Sequence, residues 1–261
     1  MLDDRSEVPW QPMRAPVAEI FAPSFPLGAS WINVAGLRMD KQLGRPVLVE
    51  FWDFCRASSV RTLPYVRAWH ERYGPDGLRV VGVHCPGFPP SHELDSVRAA
   101  AERLGVEYAV CVDGEFALWR EYGNRGWPAR YLWDQEGKLH HFHYGEGAYE
   151  ETERAIGELL GVTREPLAPL RPEDAPGVVV AAPTPDQPGA YSGPYEAGAV
   201  WAVLDGRGEL RVNGRARQIE YAGCHLLIEH DRHVAAELRL ALGTGLTCHA
   251  VCFTAGRAPA G

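Results

Sequence analysis

The chain has 261 residues, a formal net charge of -8 and 46% hydrophobic residues, which is room for one domain of ordinary size and a second smaller one. That charge, with no run of lysine or arginine, argues against nucleic acid or an anionic membrane surface as partner. No apolar stretch is long enough to span a bilayer, and Met1-Leu2-Asp3-Asp4-Arg5 lacks the basic start and apolar core of an export signal, so the expected location is the cytoplasm.

In chain order, the first strong signal is Pro46 to Trp52, a short run rich in β-branched and aromatic residues that predicts a buried central strand. Val60, Leu63, Val66 and Trp69 then recur at helical spacing, predicting a helix after Ser58 with an early interruption at Pro64. Leu78 to His84 reads as a second strand ending at Cys85-Pro86, Ser96 to Leu104 as a helix, and Tyr108 to Val112 as a third strand. A loop over Asn124 to Pro128 follows, then a hairpin with its turn at Gln135-Glu136-Gly137-Lys138 and an alternating strand from Leu139 to Tyr144. A helix with Ile156, Leu159 and Leu160 on one face closes a domain expected over 1–162, with its core at 24–160.

Phe51-Trp52-Asp53-Phe54-Cys55-Arg56-Ala57-Ser58-Ser59, Thr62-Leu63-Pro64-Tyr65, Gly123-Asn124-Arg125 and Gly145-Glu146-Gly147-Ala148-Tyr149 together resemble the thioredoxin-like redoxin family, in its DipZ/TlpA/ResA branch. The resemblance implies an α/β thioredoxin-like fold and thiol-disulfide oxidoreductase ancestry. It also implies that Pro128 is the cis-proline and that Trp52, Trp127 and Pro128 border a substrate groove for an extended protein or peptide client. Glu50, six residues before Arg56, takes the place of the buried acid that shuttles protons in thioredoxins. Where the family carries Cys-x-x-Cys, this chain has Arg56-Ala57-Ser58-Ser59.

Disulfide exchange needs a thiolate and a second thiol to resolve the mixed disulfide, and Arg56 and Ser59 supply neither. The expectation is therefore a non-catalytic or atypical member that binds a partner. The alternative is residual thiol-disulfide exchange or single-cysteine antioxidant activity through Cys55, with Cys85 as a second thiol across neighbouring strands. Cys111, inside an apolar run, reads as core. His140, His141 and His143 lie on one strand, and Cys248, His249 and Cys252 on another, but neither set has the spacing of a zinc site, and no metal or cofactor is expected.

From 163 to 194 eight prolines erase any regular period, and the stretch is expected to be a linker. Over 195–261 short strand-like runs punctuated by glycine predict a small antiparallel β-sandwich. Val203-Leu204-Asp205-Gly206, Val212-Asn213-Gly214 and Val251-Cys252-Phe253-Thr254-Ala255-Gly256 resemble the jelly-roll module of DipZ-type proteins. That likeness implies carbohydrate as a ligand, with Tyr191, Tyr195 or Trp201 as a stacking face, against the alternative that these rings simply pack the sandwich.

Overall fold

The computed structural model describes residues 20–258; the amino-terminal pentapeptide read for export lies outside them. The first half is built on six strands: β1 (Ser30–Ile32), β2 (Val47–Trp52), β3 (Arg79–His84), β4 (Ala109–Val112), β5 (Ala129–Trp133) and β6 (Leu139–Tyr144). Their order in the sheet is β1-β4-β3-β2-β5-β6, with β2, β3 and β4 mutually parallel and β1, β5 and β6 antiparallel to their neighbours. Four helices cover this sheet: α1 (Ala57–Tyr73), α2 (Leu94–Arg103), α3 (Ala117–Glu121) and α4 (Tyr149–Leu160).

Strand β2 is buried on both faces, which is why it reads as an apolar run broken only by Glu50. Leu48 and Trp52 join Leu63, Val66 and Trp69 of α1, Val97 and Ala100 of α2, and Ile156 of α4 in one core. Val47, Val49 and Phe51 face the opposite core with Val81, Val83 and Leu118. Helix α1 runs from Ala57 to Tyr73 across Pro64, so the interruption expected there is not seen. The Trp127–Pro128 peptide bond is cis, as the resemblance implied.

The proline-rich stretch is tied along α1 and α4 rather than left free. Arg72 donates to the carbonyl of Glu165 at 2.6 Å, the amide of Leu167 to Glu153 at 2.8 Å, and the amide of Leu170 to the hydroxyl of Tyr65 at 2.7 Å. It also contributes two short strands, β7 (Val180–Ala181) and β8 (Gln187–Pro188). Proline is tolerated there because β8 lies at a sheet edge, where a missing N–H costs no ladder bond.

Beyond it come β9 (Gly193–Gly206), β10 (Gly208–Val212), β11 (Arg215–Ile219), β12 (Gly223–Leu238), β13 (Leu240–Leu242), β14 (Leu246–Thr254) and β15 (Gly256–Arg257). They form a four-stranded sheet in the order β12-β9-β14-β8, a three-stranded sheet β11-β10-β13, and the pair β15-β7. Val200, Ala202, Leu204, Val251 and Phe253 of the first sheet meet Leu210 and Val212 of the second, giving the interior of a β-sandwich. His225 to Glu229 and Val234 onward belong to one strand, β12; the polar residues between them fall where its register against β9 shifts.

The other face of the four-stranded sheet is also buried. Ala199, Trp201, Val203, Cys224, Ala250 and Cys252 share a core with Phe54, Cys55 and α1. The sheet is thus the middle layer of the molecule, between the α/β half and the outer sheet.

Candidate site at the amino terminus of helix α1

The chain leaves β2 at Trp52 and turns into α1 around Asp53, which is fully buried and organises the turn. One carboxylate oxygen accepts the amide of Cys55 at 2.9 Å, and the other accepts the amide of Gly87 at 2.9 Å. The Asp53 amide donates to the hydroxyl of Ser59 at 3.2 Å, and its carbonyl accepts the amide of Arg56 at 3.0 Å. His84 Nε2 lies 3.5 Å from Asp53 Oδ1, with the imidazole stacked on Phe54 at 5.6 Å. Charge-assisted bonds of this kind hold a tight turn in one geometry.

Arg56 caps α1, with extended backbone angles of -108° and 120° and no side-chain capping bond. Its guanidinium lies between the rings of Phe88 and Trp127, 4.5 and 4.7 Å from their centroids. Gly87 makes this possible, since a Cβ there would stand 2.8 Å from both Arg56 Nε and Asp53 Oδ2. Ser58 donates its hydroxyl to the carbonyl of Trp127 at 3.1 Å, and the Trp127 indole donates to the carbonyl of Cys85 at 3.1 Å. The carbonyl before the cis-proline is therefore already bonded from within the chain.

Cys55 and Cys85 do not meet. All six cysteines are free and buried. Burial and the neighbouring Asp53 carboxylate push the Cys55 thiol well above its ordinary range. Cys85 lies in the core on the opposite face of the sheet and donates to Asp113 at 3.5 Å. Burial, with Asp113 beside it, pushes that thiol well up too. The structure thus leaves Cys55 and Cys85 in separate cores.

Glu50 sits on the β2 face beneath α1, fully buried, directly across from Arg130 in the β2–β5 register. Neither carboxylate oxygen has a hydrogen-bond partner among the described residues, and burial pushes its pKa up to about 8 against the pull of Arg130. Trp52, expected at the groove, is fully buried against the same core and meets His84 edge to face at 5.2 Å. Both faces of β2 are covered, so alternation could not say which face was open. Trp127 is half-buried and Pro128 buried. Trp201 and Tyr195 are 8% and 4% exposed and pack the cores, so neither offers a sugar a stacking face. Tyr191 is half-buried, with its hydroxyl donated to the carbonyl of Pro194.

One element was not visible in the sequence. Arg61, only 7% exposed, bridges Glu146 at 2.7 Å and Glu173 at 2.9 Å, tying α1, the loop after β6 and the proline-rich stretch together. Glu146 and Glu173 lie 85 and 112 positions from Arg61, and the three carry no local pattern. Beside them opens a cleft of about 530 Å³ walled by Arg61, Glu146, Glu150, Glu173 and Asp174. The loop at Gly145, whose amide donates to the carbonyl of Pro128 at 2.8 Å, joins this cleft to the cis-proline.

A central sheet in the order β1-β4-β3-β2-β5-β6, a helix springing from the end of β2 and a cis-proline facing its first turn define a thioredoxin-like redoxin fold. Comparison with known proteins finds relatives in the DipZ/ResA branch. The chain is 35% identical over 133 residues to Protein DipZ of Mycobacterium tuberculosis, covering 50% of this chain and 19% of that protein. It is 26% identical over 134 residues to the thiol-disulfide oxidoreductase YkuV of Bacillus subtilis, covering 51% of this chain and 90% of that protein. Among solved structures, a thiol-disulfide isomerase from Corynebacterium glutamicum aligns at 21% identity and a TM-score of 0.48, over 54% of this chain and 98% of that one. No family model matches the chain. No helix among the described residues is long and apolar enough to cross a membrane.

Proposed function

We propose that this chain is a redoxin-fold protein that has exchanged thiol chemistry for binding, with Arg56-Ala57-Ser58-Ser59 standing where relatives of the branch carry their Cys-x-x-Cys. The observation that carries this reading is Arg56 itself. A guanidinium held between Phe88 and Trp127 occupies the helix terminus at which a redoxin needs a thiolate. The burial of Cys55 supports the same reading, because a thiol that stays protonated and covered is a poor nucleophile. The partner is an extended peptide segment lying past Trp127 and Pro128 into the cleft beside Glu146. The carboxylates of Glu146, Glu150, Glu173 and Asp174 outnumber the arginines there and favour a segment carrying lysine or arginine.

Two measurements test this. In an insulin reduction assay driven by dithiothreitol, the natural chain should match the uncatalysed rate, whereas Arg56→Cys/Ser59→Cys should accelerate it. Catalysis by the natural chain would overturn the reading. In fluorescence polarisation, basic extended peptides should bind more tightly than acidic ones of equal length, and Glu150→Lys should narrow the difference. Equal affinity for both would remove the proposed client class.

A further inference from the structure

We infer that Cys55 and Cys224 are a cross-layer thiol pair that closes into a disulfide between the redoxin fold and the β-sandwich. They belong to the same buried core, at 0% and 9% exposure, although one precedes α1 and the other opens β12. The amide of Cys224 donates to the carbonyl of Phe54 at 3.2 Å, so its backbone lies against the residue before Cys55. Adding standard bond lengths along that path caps the Cα separation of the two cysteines at about 8.7 Å, and the planar Phe54–Cys55 peptide with ordinary bond angles shortens it towards the range a disulfide spans. Gly223 allows this approach, since even its missing Cβ would stand 3.2 Å from the Phe54 ring. Burial above all, then the charges of Cys252 and Cys55, push the Cys224 thiol well above its ordinary range.

The remaining cysteines are excluded by position. Cys224 and Cys252 flank β9, opposite Val203 and Trp201, and are therefore two interstrand spacings of about 4.8 Å apart, beyond the span of a disulfide. Cys248 points into the sandwich interior with Val251 and Phe253. Cys85 and Cys111 lie across the redoxin sheet in its other core.

The bond forms by exchange with an external disulfide such as oxidised glutathione. Cys55 and Cys224 together give up two protons and two electrons, a sulfur–sulfur bond forms between them, and glutathione disulfide is cleaved to two thiols. Because both thiols are covered, the exchange takes place as the chain folds or when the sandwich lifts from α1. Once formed, the crosslink fixes the four-stranded sheet over the end of β2. The pair does not rest on the loss of catalysis, so insulin reduction by the natural chain would leave it untouched.

The test is oxidative refolding of the whole reduced chain in mixtures of reduced and oxidised glutathione, followed by acid quench, alkylation and non-reducing peptide mapping by mass spectrometry. With oxidised glutathione in excess, the peptide bearing Cys55 should be recovered linked to that bearing Cys224 in most molecules. Cys252→Ser should leave the linkage in place and Cys224→Ser should remove it. Cys55 reduced throughout, or linked to Cys85, Cys111, Cys248 or Cys252, would overturn the inference. Mapping of the natural chain decides the matter even where a variant does not fold.

Discussion

Glu50 gives the sharpest prediction about the fold. Its carboxyl is fully buried, without a hydrogen-bond partner among the described residues, and its pKa is pushed from 4.5 up to about 8. Below about pH 4.5 the acid is neutral in both folded and unfolded chains and costs nothing by titration. As pH rises towards 8 the unfolded chain ionises while the folded one keeps its proton, so stability is lost across this window and levels off above it. The shift, at about 1.4 kcal/mol per pH unit, corresponds to a loss on the order of 4–5 kcal/mol, which is large against a typical stability of about 5–15 kcal/mol. Glu50→Gln keeps the shape and removes the titration. In urea denaturation at pH 5 and pH 8.5, its stability relative to the natural chain should therefore improve by about 4 kcal/mol between the two conditions. Because every other group titrates alike in both proteins, this difference isolates Glu50. A relative stability that does not change with pH would refute the reasoning.

Trp201→Ala should destabilise the chain by about 3–5 kcal/mol and loosen the sheet over α1, seen as a lower urea midpoint and faster alkylation of Cys55, because Trp201 fills the core shared by the two halves. If Cys55 stays equally protected, the sandwich does not cover it. Arg61→Met removes the nearer of the two guanidiniums that Glu146 and Glu173 share, leaving Arg171 at 4.0 and 3.9 Å, and should cost about 3 kcal/mol, with part of the loss recovered in Arg61→Met/Glu146→Gln. Strict additivity of the two changes in denaturation would argue against a coupled network.

The α/β order was legible because strand and helix periods alternate cleanly from Val47 to Leu160 and because several separate motifs of the redoxin branch occur in register. Glu50 and Pro128 were found through that likeness, and burial and the cis bond agree with it. Trp52 was misplaced because an apolar run covered on both sides has no periodicity to show which side meets a groove. Ala199 to Leu204 posed the same difficulty: a strand buried on two faces announces two neighbours without naming them, and one of these was α1. Cys224 offered no signal, since its relation to Phe54 is made by tertiary packing alone. The polar residues His230 to His233 interrupt the apolar pattern of β12, and the backbone absorbs them as a shift in register.

The claim that thiol chemistry has been given up at the head of α1 is tested most directly by the reactivity of Cys55 in the folded chain. Iodoacetamide labelling at pH 8, quenched over time and read by peptide mass spectrometry, compares its rate with that of the same cysteine in urea. The account predicts a folded-state rate at least about a hundredfold slower, since each unit by which its pKa rises removes about nine-tenths of the thiolate. A rate in the folded chain equal to or above that in urea would mean an exposed, activated thiol and would contradict the account.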